Sequence, residues 1–369
     1  MHLADITPSI FAGLGLPDEY SRALFGESPH GRECLFLIDG CGNDVVEKFS
    51  EHAPFLASLK KLGEVETSFP STTATSLTTL TTGKLPGVHG MLGYTVRVPR
   101  SGGRVLNALK WDERVDPQIW QPVPTLFERA TAHGIRVSHV AAKRYEGTGF
   151  TRATFRGAEY LGANVLTEMI ERTRSALQST PSFAYVYVND LDVAGHADGV
   201  GSEKWLLALA TVDRIAQSLR DNLPIGTRFW VTSDHGMINA SEKVVLGDNN
   251  LLLEGVETIA GEPRARHIYL QESHLDPSLR LEVESTWRDF FGSRAIIYSR
   301  EEGITAGLFG NSVSVDSEER MGDLIAIAQE GLVIIDPARE SLESKMVGHH
   351  GALSVTESLV PLLGTQIGS

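Results

Sequence analysis

Carboxylates and imidazoles fall at several places in this chain where they could do chemistry. Asp39 closes the apolar run Leu35-Phe-Leu-Ile-Asp39, Asp234 closes Phe229-Trp-Val-Thr-Ser-Asp234, and Asp192 stands two residues beyond Phe183-Ala-Tyr-Val-Tyr-Val-Asn-Asp190. Asp192-Val-Ala-Gly-His196 sets a carboxylate and an imidazole one helical turn apart, so both can face one ion. Asp234 and His235 are adjacent, and adjacent side chains share an ion only from an irregular loop, which Gly236 permits. His349-His350-Gly351 again places imidazoles beside a glycine. Asp and His together form a ligand set that suits Zn²⁺, with Mn²⁺ or Fe as alternatives. A single acid after a strand is commonly a helix N-cap. Three acids with histidines attached point instead to a divalent-metal centre.

A second stretch is crowded with hydroxyls: Ser68-Phe-Pro-Ser-Thr-Thr-Ala-Thr-Ser-Leu-Thr-Thr-Leu-Thr-Thr-Gly83. Pro70 with Ser71 and Thr72 reads as an entry and cap, Ala74–Thr82 as a short helix with Leu77 and Leu80 inward, and Gly83 as its C′ residue. Thr73 then lies at the helix N-terminus, where free N–H groups and the positive dipole end favour an anion and an ionised hydroxyl. Thr72 is the competing candidate.

These groups need a scaffold that brings distant segments to one edge. Cys34–Asp39, Arg136–Ala141, Phe183–Val188 and Phe229–Thr232 are continuous apolar runs, as in parallel strands covered on both faces. Helical patterns alternate with them: Asn164–Leu177, and Ser202–Leu219 with Leu206, Leu207, Ala210, Ile215 and Leu219 on one face. The reading is an open α/β sheet whose strand C-termini form the functional edge. Residues 245–335 read differently, with a strand at Arg266–Leu270, a helix at Leu279–Phe290, a strand at Ala295–Tyr298 and a helix near Glu318–Gln329. This predicts a small α+β insertion into a catalytic α/β domain made of residues 1–244 and 336–369, one wall of the cleft coming from the insertion.

Composition narrows the partners. In 369 residues a net charge of −14 argues against a nucleic-acid polymer as ligand, yet an anionic substrate held by metal ions stays compatible with it. Cys34 and Cys41 are the only cysteines, so a disulfide framework is not expected. The first twenty residues lack the pattern of a signal peptide, and no apolar run approaches the ~20 residues of a membrane span. The expectation is a cytoplasmic protein without membrane contact; its oligomeric state is not legible.

In this order the motifs resemble the alkaline phosphatase superfamily, and within it the type I phosphodiesterase/nucleotide pyrophosphatase family: Asp39 in Leu-Ile-Asp-Gly, the threonine cluster, Asp192 and His196, Asp234-His235-Gly236, and the late His350-Gly351. The resemblance spans residues 33–363 and implies a three-layer α/β sandwich with a central, mostly parallel sheet. It implies that the nucleophile lies ten residues before Gly83, at Thr73. It further implies two divalent ions, one held by Asp192, His196 and His350, the other by Asp39, Asp234, His235 and the Thr73 oxygen. Hydrolysis of a small anionic phosphate ester, a phosphodiester or nucleotide pyrophosphate, through a phospho-threonine is then the expected activity. The family's asparagine that contacts a phosphoryl oxygen is replaced here by Tyr94, a candidate substrate contact through its hydroxyl. The resemblance leaves three alternatives open: a phosphomonoesterase, a phosphonate C–P hydrolase and a metal-binding pseudoenzyme. A monoesterase needs an extra positive group, for which Arg152 and Arg266 are the candidates. His89 and His349 read as structural or supporting histidines, and Cys41 as a small buried residue.

Overall fold

A computed structural model describes residues 1–17, 25–28, 30–247 and 250–366. The expected apolar runs form the middle of a seven-stranded sheet. Its strands are β1 (Arg32–Ile38), β2 (Lys60–Glu66), β3 (Arg136–Ala141), β4 (Glu159–Gly162), β5 (Ser182–Val188) and β6 (Arg228–Thr232). Farther along lie β7 (Val256–Glu262), β8 (Ala265–Leu270), β9 (Ala295–Ser299), β10 (Leu324–Ala328) and β11 (Leu359–Gln366). The large sheet runs β2-β11-β6-β1-β5-β3-β4. Pairings among β6, β1, β5, β3 and β4 are parallel, whereas β11 is antiparallel to both β2 and β6.

Both faces of this sheet are covered, which is why its central strands carry unbroken apolar runs. In β1, Leu35 and Leu37 enter one core while Cys34, Phe36 and Ile38 enter the other. The first core also receives α1 (Leu3–Gly13) and α2 (Thr73–Thr82); the second receives α3 (Leu166–Ala176) and α5 (Glu203–Asn222), with α4 (Asp190–Asp198) just before it in the chain. The buried face of α5 is Trp205, Leu209, Val212, Ala216 and Leu219, and Leu207 is exposed. Of the expected face, Leu219 is buried and Leu206 and Ile215 pack partly buried against this core, whereas Leu207 faces solvent.

The segment between β6 and β11 holds the four-stranded antiparallel sheet β7-β8-β10-β9, covered by α6 (Pro277–Phe291). Glu242–Val245 pairs with Leu332–Ile335 in parallel at its base. The helix expected near Glu318–Gln329 is instead a short helix, Val315–Arg320, followed by β10. Two-sided burial explains the misreading: Ile325 and Ile327 face the core of the large sheet, while Leu324, Ala326 and Ala328 pack with Trp287 and Phe291. A run apolar on both faces has no period to read.

Among the described residues no helix is long and apolar enough to cross a membrane.

Candidate metal centre and active site

The three acids do converge at the carboxyl ends of neighbouring strands. Asp39 follows β1 and Asp234 follows β6, while Asp192 sits in the first turn of α4 after β5. The Asp39 amide donates to Val188 O at 3.0 Å, joining the ends of β1 and β5. Gly40, at φ +76°, lets the chain turn beside Asp192, whose Cα lies 3.1 Å from where a Cβ would sit.

Asp39 and Asp234 are each tied down at one carboxylate oxygen and left open at the other. Asp39 Oδ2 accepts a short hydrogen bond from the Tyr187 hydroxyl, and its Oδ1 has no hydrogen-bond partner. Asp234 Oδ1 accepts from the amides of Gly40 and His235, leaving Oδ2 unpartnered. Asp192 Oδ1 is likewise buried and unpartnered. The histidines follow the same rule. Nδ1 of His196, His235 and His350 faces the carbonyls of Gly348, Gly236 and Ser71 at 2.8, 3.0 and 2.9 Å. A carbonyl accepts only from an N–H, so each ring carries a proton on Nδ1 and turns Nε2 inward, the orientation of a metal-ligating histidine.

The open atoms lie close together. Asp192, His235 and His350 form one group of ligand atoms within 4.8 Å of one another, and Asp39, Asp234 and His235 form a second. His235 thus belongs to both. His196 Nε2 is 3.4 Å from Asp192 Oδ1, and His350 Nε2 is 3.9 Å from the same atom. Thr73 Oγ1 lies 3.2 Å from His235 Nε2. Thr73 is the one residue of α2 that is not buried, and it begins the helix. Thr72 precedes it in extended conformation and makes no side-chain cap. Gly83 ends the helix at φ +64°, with Pro8 Cγ 2.7 Å from the position of a Cβ.

Burial and crowding set the charges. Burial, reinforced by Asp39, pushes the Asp234 carboxyl well above the usual range. Burial lifts Asp192 to about 6 although His196 opposes it. For His235, burial favours the neutral ring, but Asp234 and Asp39 outweigh it and raise the imidazole to about 10. His350 is pushed well below its ordinary value by burial and by the facing His235, whose ring stacks on it at 3.6 Å. Native proteins rarely leave buried carboxylate oxygens without partners. Three such oxygens facing inward-turned imidazoles fit divalent cations, with hard oxygen and borderline nitrogen donors together.

Two cavities diverge from Thr73 and Asp192. The first, about 120 Å³, is walled by Leu77, Leu109, Tyr145, Phe150 and Phe155. The second, about 190 Å³, is bordered by Tyr94, Glu262, Glu343, Met346, His349 and His350. Tyr94 therefore does reach the site, where its hydroxyl donates to Glu343 Oε1 at 3.3 Å and its amide to Glu262 Oε2 at 2.8 Å. Neither cavity is lined by an arginine or lysine among the described residues. Arg266, a candidate for an extra positive group, is buried and paired with Glu340 and the Ile334 carbonyl. Arg152 is exposed and lines neither cavity. Arg144 reaches the rim of the first, donating to Tyr145 Oη and Asn189 Oδ1.

Other residues stand apart from the cluster. His89 is fully buried and bonded to Thr79 and the Met91 amide, and burial drives it down to about 3. His349 faces the Met346 carbonyl at 3.3 Å. The Cys41 thiol is buried and pushed up to about 12. Tyr187, Glu262 and Glu343 escaped the sequence reading. Tyr187 sits in an apolar strand run where a tyrosine looks like core, and the two glutamates reach the site only through tertiary folding.

Residues 34–353 match the family profile of the type I phosphodiesterase / nucleotide pyrophosphatase family. Human ectonucleotide pyrophosphatase/phosphodiesterase family member 1 is 25% identical over 249 residues, covering 63% of this chain and 26% of the relative. The rat protein matches at 25% over the same length, covering 27% of itself. The matched region thus spans about a quarter of these curated relatives. Murine and human ectonucleotide pyrophosphatase/phosphodiesterase 5 superpose with a TM-score of 0.70 at 17% and 18% identity, covering 91% of this chain and 88% of theirs. A further match is an inactive threonine-to-alanine variant of the murine protein in complex with AMP, again at TM-score 0.70. With an alkaline-phosphatase-like sheet, five motifs in order and a profile match over most of its length, the chain belongs to the type I phosphodiesterase / nucleotide pyrophosphatase family.

Proposed function

We propose that this chain hydrolyses phosphodiester or nucleotide pyrophosphate bonds at two divalent ions, with Thr73 as nucleophile. The observation that carries the reading is the Thr73 hydroxyl, at the N-terminus of α2 and 3.2 Å from His235 Nε2, facing a cluster of unpartnered carboxylate oxygens. Asp192, His196 and His350 would hold one ion, and Asp39, Asp234, His235 and Thr73 Oγ1 the other. Zn²⁺ is the first choice, with Mn²⁺ or Fe as alternatives. Bound there, such ions supply Lewis acidity to the phosphoryl group and favour an ionised oxygen nucleophile.

Thr73 Oγ gives up its proton to solvent and forms a bond to phosphorus as the bond to the leaving oxygen breaks; the group released is an alkoxide, which takes a proton from solvent, or, from a pyrophosphate, a phosphate. Water then attacks the phospho-threonine, freeing the second product as a monoester and restoring the hydroxyl. The free amides and dipole of α2 favour the anion at Thr73. Two cavities meeting at Thr73 suit a phosphorus with two substituents, and the lack of a lining arginine or lysine among the described residues favours a diester over a dianionic monoester. The AMP complex of the murine structural match supports a nucleotide as one substrate class. We place one wall of the site in the unit 245–335, because Glu262 and Pro263 line the second cavity.

The test is turnover of bis-p-nitrophenyl phosphate against p-nitrophenyl phosphate, with added Zn²⁺ or Mn²⁺ and with EDTA. Metal-dependent preference for the diester is expected. Preference for the monoester would replace the reading with a phosphomonoesterase, and turnover of a phosphonate alone with a C–P hydrolase. No turnover together with no metal uptake would leave a pseudoenzyme.

A further inference from the structure

Glu343 brings a carboxylate to the second cavity, whose lining it shares with Thr73, Asp192 and His196. Its Oε1 accepts from the Tyr94 hydroxyl at 3.3 Å, while its Oε2 has no hydrogen-bond partner among the described residues and is not sealed off. Nor does a cation claim this group among the described residues. Lys243, which reaches the same segment, donates instead to the carbonyls of Ser344 and Met346. The open oxygen therefore belongs to a side chain that borders a cavity of about 190 Å³ beginning at Thr73.

The other acid of this cavity, Glu262, is closed to a ligand. It is 3% exposed, its Oε2 accepts from the Tyr94 amide at 2.8 Å, and its Oε1 is buried without a partner. Burial pushes its carboxyl up to about 8, so at neutral pH it adds little charge. Burial, reinforced by Glu343, also raises the Tyr94 phenol, which stays a donor. The hydroxyl expected to meet a phosphoryl oxygen is thus directed at Glu343 and holds that carboxylate at the cavity wall. With no lining arginine or lysine among the described residues, Glu343 sets the sign of the field that a substituent meets there beyond the metal ligands.

We propose that Glu343 is a specificity-determining residue that selects one substituent of the phosphodiester by charge, favouring an alcohol that carries an ammonium group and rejecting one that carries a further anion. The inference rests on the proposed phosphodiester hydrolysis and sharpens its substrate class. Nucleotide pyrophosphates, whose second substituent is itself anionic, fall behind diesters of amino alcohols. Opposite charges attract more strongly in a partly enclosed site than in water, and a like charge that sheds its water there finds no partner. The first cavity does not compete for a charged group, because Leu77, Phe150 and Phe155 wall it with apolar surface.

The test uses p-nitrophenyl phosphodiesters that differ only in the second alcohol: 2-aminoethyl, propyl and 2-carboxyethyl. The parent should rank them in that order in kcat/KM, with about tenfold or more between the first and the last. High salt should narrow the span. Glu343→Gln keeps an acceptor for the Tyr94 hydroxyl and removes the charge, so the aminoethyl-to-carboxyethyl ratio should fall to within about twofold. Glu343→Lys should invert the order, which loss of a merely structural contact would not do. A parent with no ranking by charge, or a ratio that both variants leave unchanged, would overturn the inference. A parent that turns over none of the esters refutes the hydrolysis reading instead. Calorimetry of Zn²⁺-loaded protein with 2-aminoethyl phosphate and propyl phosphate then decides the role of Glu343. Tighter binding of the aminoethyl compound that is lost in Glu343→Gln sustains it, and equal affinities remove it.

Discussion

Tyr187→Phe separates the role of a supporting hydroxyl from that of the metal ligands themselves. The tyrosine donates to Asp39 Oδ2, while Asp39 Oδ1 is left free and the carboxylate is 2% exposed. Phenylalanine keeps the ring and deletes only the donor, so the carboxylate loses the bond that orients its open oxygen. A hydrogen bond to a charged group contributes about 1.5–3 kcal/mol. Loss of an outer-shell partner costs about 10–100-fold in metal affinity, and at about 1.4 kcal/mol per tenfold the two scales agree. The assay is competition for Zn²⁺ against a chelating dye, run beside thermal melts of metal-loaded and metal-free protein. One of two binding steps should weaken by about 10–100-fold, and the loaded protein should lose more melting temperature than the metal-free one. Unchanged affinity at both steps, or equal loss of stability with and without metal, would refute the assignment of Asp39 as a ligand oriented by Tyr187.

Thr73→Ala should abolish diester turnover while leaving Zn²⁺ uptake by the same dye assay largely intact, and Thr72→Ala should remain active. The reverse pattern would transfer the nucleophile to Thr72. Arg264 and Glu357 form a fully buried bidentate pair at 3.0 and 2.6 Å. Arg264→Met alone should therefore cost about 3–5 kcal/mol in chemical denaturation, with Arg264→Met/Glu357→Leu recovering much of the loss. Burial holds His89 and His139 near 3 and His267 near 4, against 6.5 in the unfolded chain. Below pH 6.5 the unfolded state takes up protons that the folded state refuses, so stability rises with pH from about 3–4 to 6.5 and this contribution is flat above. Each group contributes up to about 1.4 kcal/mol per pH unit in that window. Denaturation curves at pH 5 and pH 7 should show the difference, and His139→Phe should reduce it.

What was legible in the sequence was local. Asp39, Asp192, Asp234 and their histidines sit at the ends of apolar runs or one helical turn apart, and such spacing survives folding unchanged. Gly83 and the helix before it were readable because a left-handed C-terminus demands glycine. What the sequence hid depends on two-sided burial or on long-range pairing. β10 has apolar residues on both faces and so mimicked a helix. Arg266 looked available for substrate until Glu340, far along the chain, proved to claim it. Tyr187 and Glu262 matter only through what they face, and neither carries a neighbouring residue that signals it.

The placement of β11 has a consequence for how the protein is made. This strand follows all the others of the sheet in the chain, yet it lies inside the sheet, between β2 and β6, and among the described residues it is the only strand of that sheet that β2 pairs with. His350 lies nine residues before it in the chain. During synthesis β2 has no strand to join and β6 presents an open edge until this segment emerges, and both are templates for mispairing. Closure of the sheet and arrival of the last imidazole therefore both wait on this late segment. A nascent chain cut short of it has neither the finished scaffold nor the full set of ligands.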